Sequence, residues 1–198
     1  EAALLGINLG RVGFLTEAEP AEIERALEAV IQGDYEVEAR PILHVEAVGK
    51  HWHALNDVVL SRGGSARLTT INAWVDGELS GRYVADGVVV ATPTGSTGYS
   101  LSAGGPIISP EVECMVITPI CAHDVGSRCM VASDERQITV ELVKNPHRNA
   151  YVSVDGGKAQ KLNMGDKVVI HKSRLETKLI RLKDRSFYDV VNMKFKCN

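Results

Sequence analysis

Residues 86–106 read DGVVVATPTGSTGYSLSAGGP, and this stretch decides which fold the sequence predicts. Its first part is a run of apolar, mostly β-branched residues, which is typical of a buried strand. The part from Thr92 to Pro106 is rich in glycine and hydroxyl residues, which allow close backbone approach and offer donors and acceptors. On composition alone this part is a surface loop, but Pro93 and the apolar flanks argue against a flexible linker. We therefore expect a buried strand and an ordered loop, with Tyr99 available to stack on a planar ligand.

The rest of the chain consists of short apolar or alternating segments separated by turn residues. Asp76-Gly77 and Asp155-Gly156-Gly157 are hairpin signals, and turn signals recur about every eight to twelve residues. We therefore predict a mainly β chain with two packed, mostly antiparallel sheets.

The N-terminal segment has a different pattern. Residues 4–9 suggest a short strand, and a helix is predicted from Pro20 to about Gln32, with Gly33 placed to end it. We interpret this strand and helix as the remnant of an α/β domain. The predicted domains are 1–33 (tail of the α/β domain and linking helix), 34–183 (β-rich domain) and 184–198 (a C-terminal segment returning to the α/β domain). Because the chain opens without Met inside a strand, we expect a fragment.

Amino-acid composition and net charge argue against several classes of protein, including those that bind nucleic acid or membranes. The chain has 198 residues, a net charge of −3 and 44% hydrophobic residues, which is ordinary for a globular protein. Without a basic field, neither nucleic acid nor membrane is an expected partner. The cysteines form no CxxC pair, which favours reduced thiols and a cytoplasmic location. They are Cys114, Cys121, Cys129 and Cys197.

Several catalytic motifs fail on spacing. Residues 6–14, GINLGRVGF, match the dinucleotide pattern GxGxxG only loosely, and the P-loop pattern GxxxxGK[ST] is absent from the sequence. Ser96 is not in a nucleophile elbow, because Thr94 stands where glycine is required. The mismatch at Ser96 disfavours a hydrolase, the missing GxxxxGK[ST] pattern excludes a P-loop, and the glycines of residues 6–14 are better interpreted as a structural turn.

His51 and His53 place two imidazoles on one face of a predicted strand. A metal site needs further ligands, and no third ligand has a recognisable spacing. An exposed strand is the better interpretation, and no metal-binding residue is assigned.

Asn56 and Asp57 interrupt an apolar strand with an amide and a carboxylate. Buried polar groups need partners, so the pair is either a satisfied β-bulge or a set of contacts for ligand hydroxyls. Asp86 has the same ambiguity between a turn residue and a ligand contact.

Taken in chain order, three segments resemble the NAD kinase family: residues 6–15, GINLGRVGFL; residues 55–59, LNDVV; and residues 86–106. The resemblance implies transfer of the γ-phosphate of ATP to the 2′-hydroxyl of the adenosine ribose of NAD, giving NADP, with Mg²⁺. It also implies a mostly β, NAD-binding C-terminal domain behind an α/β domain.

The resemblance also implies roles for individual residues. Asn56 and Asp57 correspond to the family's polar pair at the adenosine ribose, and Tyr99 corresponds to the ring that stacks on adenine. Asp86 corresponds to a carboxylate at the nicotinamide-side ribose, which in the family can come from a neighbouring subunit. The residues so assigned to NAD binding are Asn56, Asp57, Arg67, Asp86, Thr94, Thr97, Gly98, Tyr99, Ser100, Leu101 and Ser102.

The family's Gly-Gly-Asp-Gly-Thr motif, whose Asp is the proposed general base, is absent from these residues. We therefore expect the base upstream of Glu1 and an inactive chain when it is alone. The resemblance implies a cytoplasmic homo-oligomer, a dimer or tetramer, with its site near a subunit interface. The alternatives are a non-catalytic nucleotide-binding or regulatory module, or a relative of lipid or sugar kinases.

Overall fold

The computed structural model describes residues 2–10, 13–63, 68–144, 150–182 and 186–195. Contacts divide the chain into two compact units, one of residues 1–40 and 176–198 and one of residues 41–175. The predicted boundaries at residues 33 and 183 stay predictions. None of the described helices is long and apolar enough to cross a membrane.

The described residues form three α-helices and two short 3₁₀ turns. The helices are α1 (Ile23–Gln32), α2 (Tyr99–Ser102) and α3 (Phe187–Lys194), and the 3₁₀ turns are Pro20–Glu22 and Gly95–Thr97. The strands are β1 (Glu36–Ala47), β2 (Lys50–Ala54), β3 (Asp57–Arg62), β4 (Thr69–Val75), β5 (Glu78–Ala85), β6 (Gly87–Ala91), β7 (Cys114–Ile120), β8 (Met130–Ser133), β9 (Ile138–Lys144), β10 (Ala150–Val154), β11 (Gln160–Leu162) and β12 (Lys167–Arg181).

The strands form two six-stranded sheets, with the orders β2-β1-β12-β9-β4-β5 and β11-β10-β3-β6-β7-β8. Residues from both sheets share one buried core in the second unit, including Val45 and Ile71 from the first sheet and Leu60, Val90 and Ile117 from the second. This arrangement confirms the prediction of a mainly β fold with two packed, antiparallel sheets.

The apolar run before Thr92 forms β6, in which every residue is buried. It lies between β3 and β7, so both of its edges are hydrogen-bonded. The hairpin predicted at Asp76-Gly77 joins β4 to β5, with positive φ angles of 50° and 84° at its two turn residues. The sequence predictions of a buried strand before Thr92 and of a hairpin at Asp76-Gly77 are both confirmed.

The first unit contains the predicted helix. Its 3₁₀ turn begins with a capping box between Glu19 and Glu22, Pro20 takes the first position, and Gly33 ends α1 with a φ of 78°. Residues 4–9 do not form a continuous strand. They make isolated parallel bridges, Leu4 to Leu179 and Ile7 to Ala18.

Candidate functional site

The polar pair and the glycine-rich loop meet at one end of the second sheet. Strands β3 and β6 pair so that Asp57 lies opposite Ala91, which brings the start of one strand to the end of the other. The Thr92 backbone N–H donates to the Asn56 carbonyl at 2.9 Å, and the Thr92 hydroxyl donates to the Leu55 carbonyl at 2.6 Å. The two segments are therefore joined by hydrogen bonds.

The contact between these segments depends on Gly95. A Cβ at this position would lie 2.0 Å from the Asn56 carbonyl oxygen, closer than any side chain can approach. The Gly95 N–H also donates to the Thr92 hydroxyl at 3.0 Å. Glycine is required here because two backbones are in contact.

The turn that carries Asn56 is held by Asp155, a residue that the sequence predicted only as part of a hairpin. The Asp155 carboxylate accepts backbone N–H bonds from Leu55, Asn56 and Asp57 at 2.7, 2.8 and 2.9 Å. Pairing of β10 with β3 sets Val154 opposite Val58, and this register brings Asp155 to the turn. The sequence signal for Asp155 holding this turn is an aspartate at the end of a strand. Many hairpins have such an aspartate, so the signal alone does not identify the role.

The Asp57 carboxyl lies in this junction. The residue is only 8% exposed, and a Cβ on Gly98 would lie 4.0 Å from its Oδ2. Burial, followed by the negative charge of Asp155, raises the pKa of the Asp57 carboxyl to about 6. Near neutral pH the ionised carboxylate is in a poorly solvated position, so it gains more than an exposed carboxylate from hydroxyl or N–H donors.

Two of the serine hydroxyls in the loop are buried and hydrogen-bonded within the protein. Ser96 and Ser100 are fully buried: the Ser96 hydroxyl donates to the Pro93 carbonyl at 2.6 Å, and the Ser100 hydroxyl lies 2.8 Å from that of Thr118. Their bonds stabilise the loop from inside, so the Ser100 hydroxyl has a structural partner where sequence reasoning assigned it to a ligand.

The other loop residues assigned to a ligand differ in exposure. Tyr99 is 45% exposed, and Gly98 and Ser102 are also exposed. Thr97 and Leu101 are half-buried, and the Thr97 hydroxyl donates to the carbonyl of Thr94, which is itself buried. The short helix α2, which the sequence did not predict, carries Tyr99 and Ser102 and presents both to the surface.

Asp86 does not join this site within one chain. It lies just before Gly87, which pairs with Ser61 at the opposite end of β3 from Asp57, and four residues of strand span about 13 Å. There the Asp86 carboxylate accepts from the Arg62 guanidinium Nε at 2.6 Å, and this bond raises the pKa of Arg62. Arg67 lies outside the described residues.

A concave surface of the first unit is lined by acidic residues, including Glu17, Glu19 and Glu22, together with Arg181. None of the predicted ligand contacts that the structure describes lies there. The expected catalytic base also stays a prediction.

Two family models match the chain. The ATP-NAD kinase C-terminal domain matches residues 55–182, and the ATP-NAD kinase N-terminal domain matches residues 2–35. Both segments of the candidate site in the second unit fall in the first of these matches.

The similar proteins found by sequence comparison are NAD kinases. The chain is 41% identical to the NAD kinase of Carboxydothermus hydrogenoformans over 98% of its own length and 70% of that protein. It is also 41% identical to the NAD kinase of Caldanaerobacter subterraneus subsp. tengcongensis, over 96% of its own length and 69% of the relative.

Solved structures agree. Yeast NADH kinase complexed with NADH superimposes with a TM-score of 0.88 at 31% identity, covering 98% of this chain and 59% of that one. An NAD kinase from Archaeoglobus fulgidus in complex with ATP gives a TM-score of 0.83 at 34% identity, covering 96% and 74%. These likenesses favour the kinase interpretation over a relative of lipid or sugar kinases.

Proposed function

The chain belongs to the NAD kinase family, and from this premise we propose that it forms the NAD-binding part of an enzyme that phosphorylates NAD. The reaction is attack by the 2′-oxygen of the adenosine ribose on the γ-phosphorus of ATP. A new phosphorus–oxygen bond gives NADP, the bond to the β-phosphate oxygen breaks, and ADP leaves. The known complexes of related structures with NADH and with ATP support these two ligand classes.

The observation that carries the proposal is the poorly solvated Asp57 carboxylate, which follows Asn56 in the chain and lies close to Gly98. Among the residues that the structure describes, no hydrogen bond satisfies the Asp57 carboxylate, while its own backbone is fixed by Asp155. A carboxylate and an amide together accept from and donate to a ribose diol. The raised pKa of Asp57 supports a group that is completed by its ligand.

The remaining contacts follow from exposure. Tyr99 offers a ring face to adenine, and the Gly98 backbone together with the Thr97 and Ser102 hydroxyls lies in the same segment. Alignment matters because a ribose hydroxyl has a pKa far above neutrality and attacks poorly unless it is held in line. Rigid placement by Asn56 and Asp57 contributes that alignment.

Magnesium is proposed as the partner of the ATP phosphates, where it neutralises the charge that develops during transfer. Its ligands are the phosphate oxygens, and no residue of this chain is assigned to it. The general base is likewise assigned to none of these residues.

We also propose that the enzyme works in the cytoplasm as a homo-oligomer, a dimer or tetramer, in which Asp86 contacts the nucleotide of a neighbouring subunit. The separation of Asp86 from Asp57 along β3 and β6 supports this arrangement. NAD affinity that falls on dilution to monomer is the expected result. An affinity independent of protein concentration would contradict it.

The direct test is NADP formation from NAD and Mg-ATP by the whole enzyme, of which this chain is the proposed NAD-binding part, carrying Asn56→Ala. The exposed Asn163, in the turn after β11, offers a matched control as Asn163→Ala. We expect kcat/KM for NAD to fall about tenfold or more in Asn56→Ala, because one ligand bond and the ribose alignment are lost. Wild-type turnover in a normally folded Asn56→Ala would make the pair a structural bulge, and no NADP from the unmodified enzyme would refute the function.

A further inference from the structure

A second cluster of functional side chains lies in the other sheet, on the hairpin of β1 and β2. Antiparallel pairing sets His44 opposite His53 and Glu46 opposite His51. Of the residues that alternate with them, Leu43, Val45, Ala47 and Ala54 are buried, and the partly buried Trp52 packs against the core. Since successive side chains of a strand point to opposite faces, the histidines and the glutamate share the outer face of this sheet.

Three of these side chains converge on one point. The His44 Nε2 atom lies 3.3 Å from His51 Nδ1 and 3.3 Å from Glu46 Oε1, and the third distance, between His51 Nδ1 and Glu46 Oε1, is 3.7 Å. Zinc bonds of about 2.0–2.2 Å at tetrahedral angles separate neighbouring ligand atoms by about 3.3–3.6 Å. Two of the three separations fall in this range and the 3.7 Å separation lies just above it, so the three atoms come close to one face of a zinc tetrahedron.

We propose that His44, Glu46 and His51 bind a zinc ion, with water in the fourth position. Two imidazoles and a carboxylate are a ligand set that suits this metal. Among the described residues, these three side chains form the one group of three or more histidine, cysteine or acidic side chains whose ligand atoms all lie within 4.8 Å of one another. His51 and Glu46 are 61% and 46% exposed, so the fourth position is open to solvent.

The surrounding side chains hold the ligand rings. His171 of β12 stacks on His44 with ring centroids 4.9 Å apart and an angle of 13°, and its Nδ1 lies 2.9 Å from the Lys172 carbonyl oxygen. His53 packs edge-on against His44, and its Nδ1 lies 3.3 Å from the Ser173 hydroxyl. These two ring contacts restrict the orientation of the His44 imidazole, and the hydrogen bonds of His171 and His53 hold the packing rings in place.

The sequence pattern concealed this site because its ligands come from two strands. His51 lies on one face of β2 together with His53. The other two ligands, His44 and Glu46, belong to β1, and only the hairpin register brings them to His51. A zinc ion there links β1 to β2, so it stabilises the hairpin. The site is separate from the segments that carry the nucleotide proposal, which lie in the other sheet.

The test is calorimetric titration of the chain with Zn²⁺ alone at pH 7.5, with the cysteines kept reduced. Variants are His51→Asn and Glu46→Gln, both at exposed positions, and the control is His123→Asn, an exposed histidine outside the cluster. We expect one equivalent of zinc, with affinity reduced at least tenfold in His51→Asn, since even outer partners of a metal ligand change affinity by about 10–100-fold. The control should bind as the unmodified chain does.

Two further measurements identify the ligands and the effect. Cobalt in place of zinc should give the visible bands of a tetrahedral nitrogen and oxygen site, and zinc should raise the melting temperature of the chain but not that of His51→Asn. Absence of zinc binding, undiminished binding in His51→Asn, loss of binding in His123→Asn, or a thiolate-to-cobalt absorption band would each overturn the proposal. None of these results tests the proposed nucleotide site, so failure of the zinc proposal is distinguishable from failure of the proposed function.

Discussion

Asp57 and Asp155 are joined by two hydrogen bonds, in each of which one residue donates its backbone N–H to the other. The Asp57 N–H donates to Oδ1 of Asp155 at 2.9 Å, and the Asp155 N–H donates to the Asp57 carbonyl at 3.0 Å. Burial, and after it the negative charge of this same Asp155 carboxylate, raises the pKa of the Asp57 side chain. Asp155 therefore fixes the position of the residue assigned to the ribose and, after burial, contributes to its raised pKa.

Replacing Asp155 should loosen the turn and weaken ligand binding together. Asp155→Ala removes the acceptor of three backbone N–H groups, and for an exposed carboxylate we expect a loss of about 1–2 kcal/mol in the free energy of unfolding. NAD affinity should fall as well. Asp166→Ala is the control, because the Asp166 side chain accepts a single turn N–H, from Asn163. Urea denaturation and calorimetry measure both quantities, and unchanged NAD affinity in Asp155→Ala would contradict the assigned role.

Asp57→Asn should make the protein more stable at neutral pH and a poorer NAD binder. The folded pKa of about 6 lies above the ordinary value of 3.8, so the fold favours the protonated form. The stability from Asp57 is fully present below about pH 4 and is lost as pH rises through about 6. We expect the variant to gain about 1–2 kcal/mol near pH 7.5, with the gain shrinking as pH falls from 6 towards 4.

The measurement is urea denaturation of both proteins across this pH range. Glu111→Gln, at an exposed carboxylate, controls for the loss of one charge. A gain that does not shrink towards low pH would mean that the Asp57 charge is not the source of the effect.

Tyr99 should contribute to NAD affinity through its ring rather than its hydroxyl. The side chain is 45% exposed, so its removal leaves the core intact. Tyr99→Ala should weaken binding by about 1–2 kcal/mol, and Tyr99→Phe should retain most of the affinity. Calorimetry distinguishes the two. Equal affinities in Tyr99→Ala and the unmodified protein would remove Tyr99 from the site.

Gly95 is the position where a single methyl group should do most damage. A Cβ would lie 2.0 Å from the Asn56 carbonyl oxygen and 2.4 Å from its carbon, and backbone cannot turn away as a side chain can. We expect Gly95→Ala to lose about 2–4 kcal/mol of stability. Gly126→Ala, whose Cβ would meet its nearest atom at 3.4 Å, should stay close to the unmodified protein in thermal melting. Equal melting temperatures for the two variants would show that the loop accommodates the methyl group.

Local patterns predicted much of the fold. The burial of β6 follows from its apolar composition, and the hairpin between β4 and β5 follows from Asp76-Gly77, whose residues adopt the positive φ that such a turn needs. The start of the 3₁₀ turn that leads into α1 follows from Pro20, and the end of α1 follows from Gly33. These features depend on interactions within a few residues, so a single sequence contains the relevant information.

The parts that sequence reasoning missed depend on distant pairing. Asp155 reaches the Leu55 to Asp57 turn across 98 to 100 residues, and His44 meets His53 only through a strand register. Composition also does not tell which hydroxyls face inward, so Ser100 was grouped with its exposed neighbour Ser102. Pairing register and side-chain direction are properties of the assembled sheet.

The long separation between Asp155 and its three N–H partners has a kinetic consequence. We expect contacts across about 100 residues to form late in folding, because the chain entropy of closing such a loop is lost before the contact is made. Strands β3, β6 and β10 must therefore be aligned before the Asn56 turn is held. In a refolding experiment, the ability to capture nucleotide should be among the last properties to return, after most of the β-sheet circular dichroism signal has recovered.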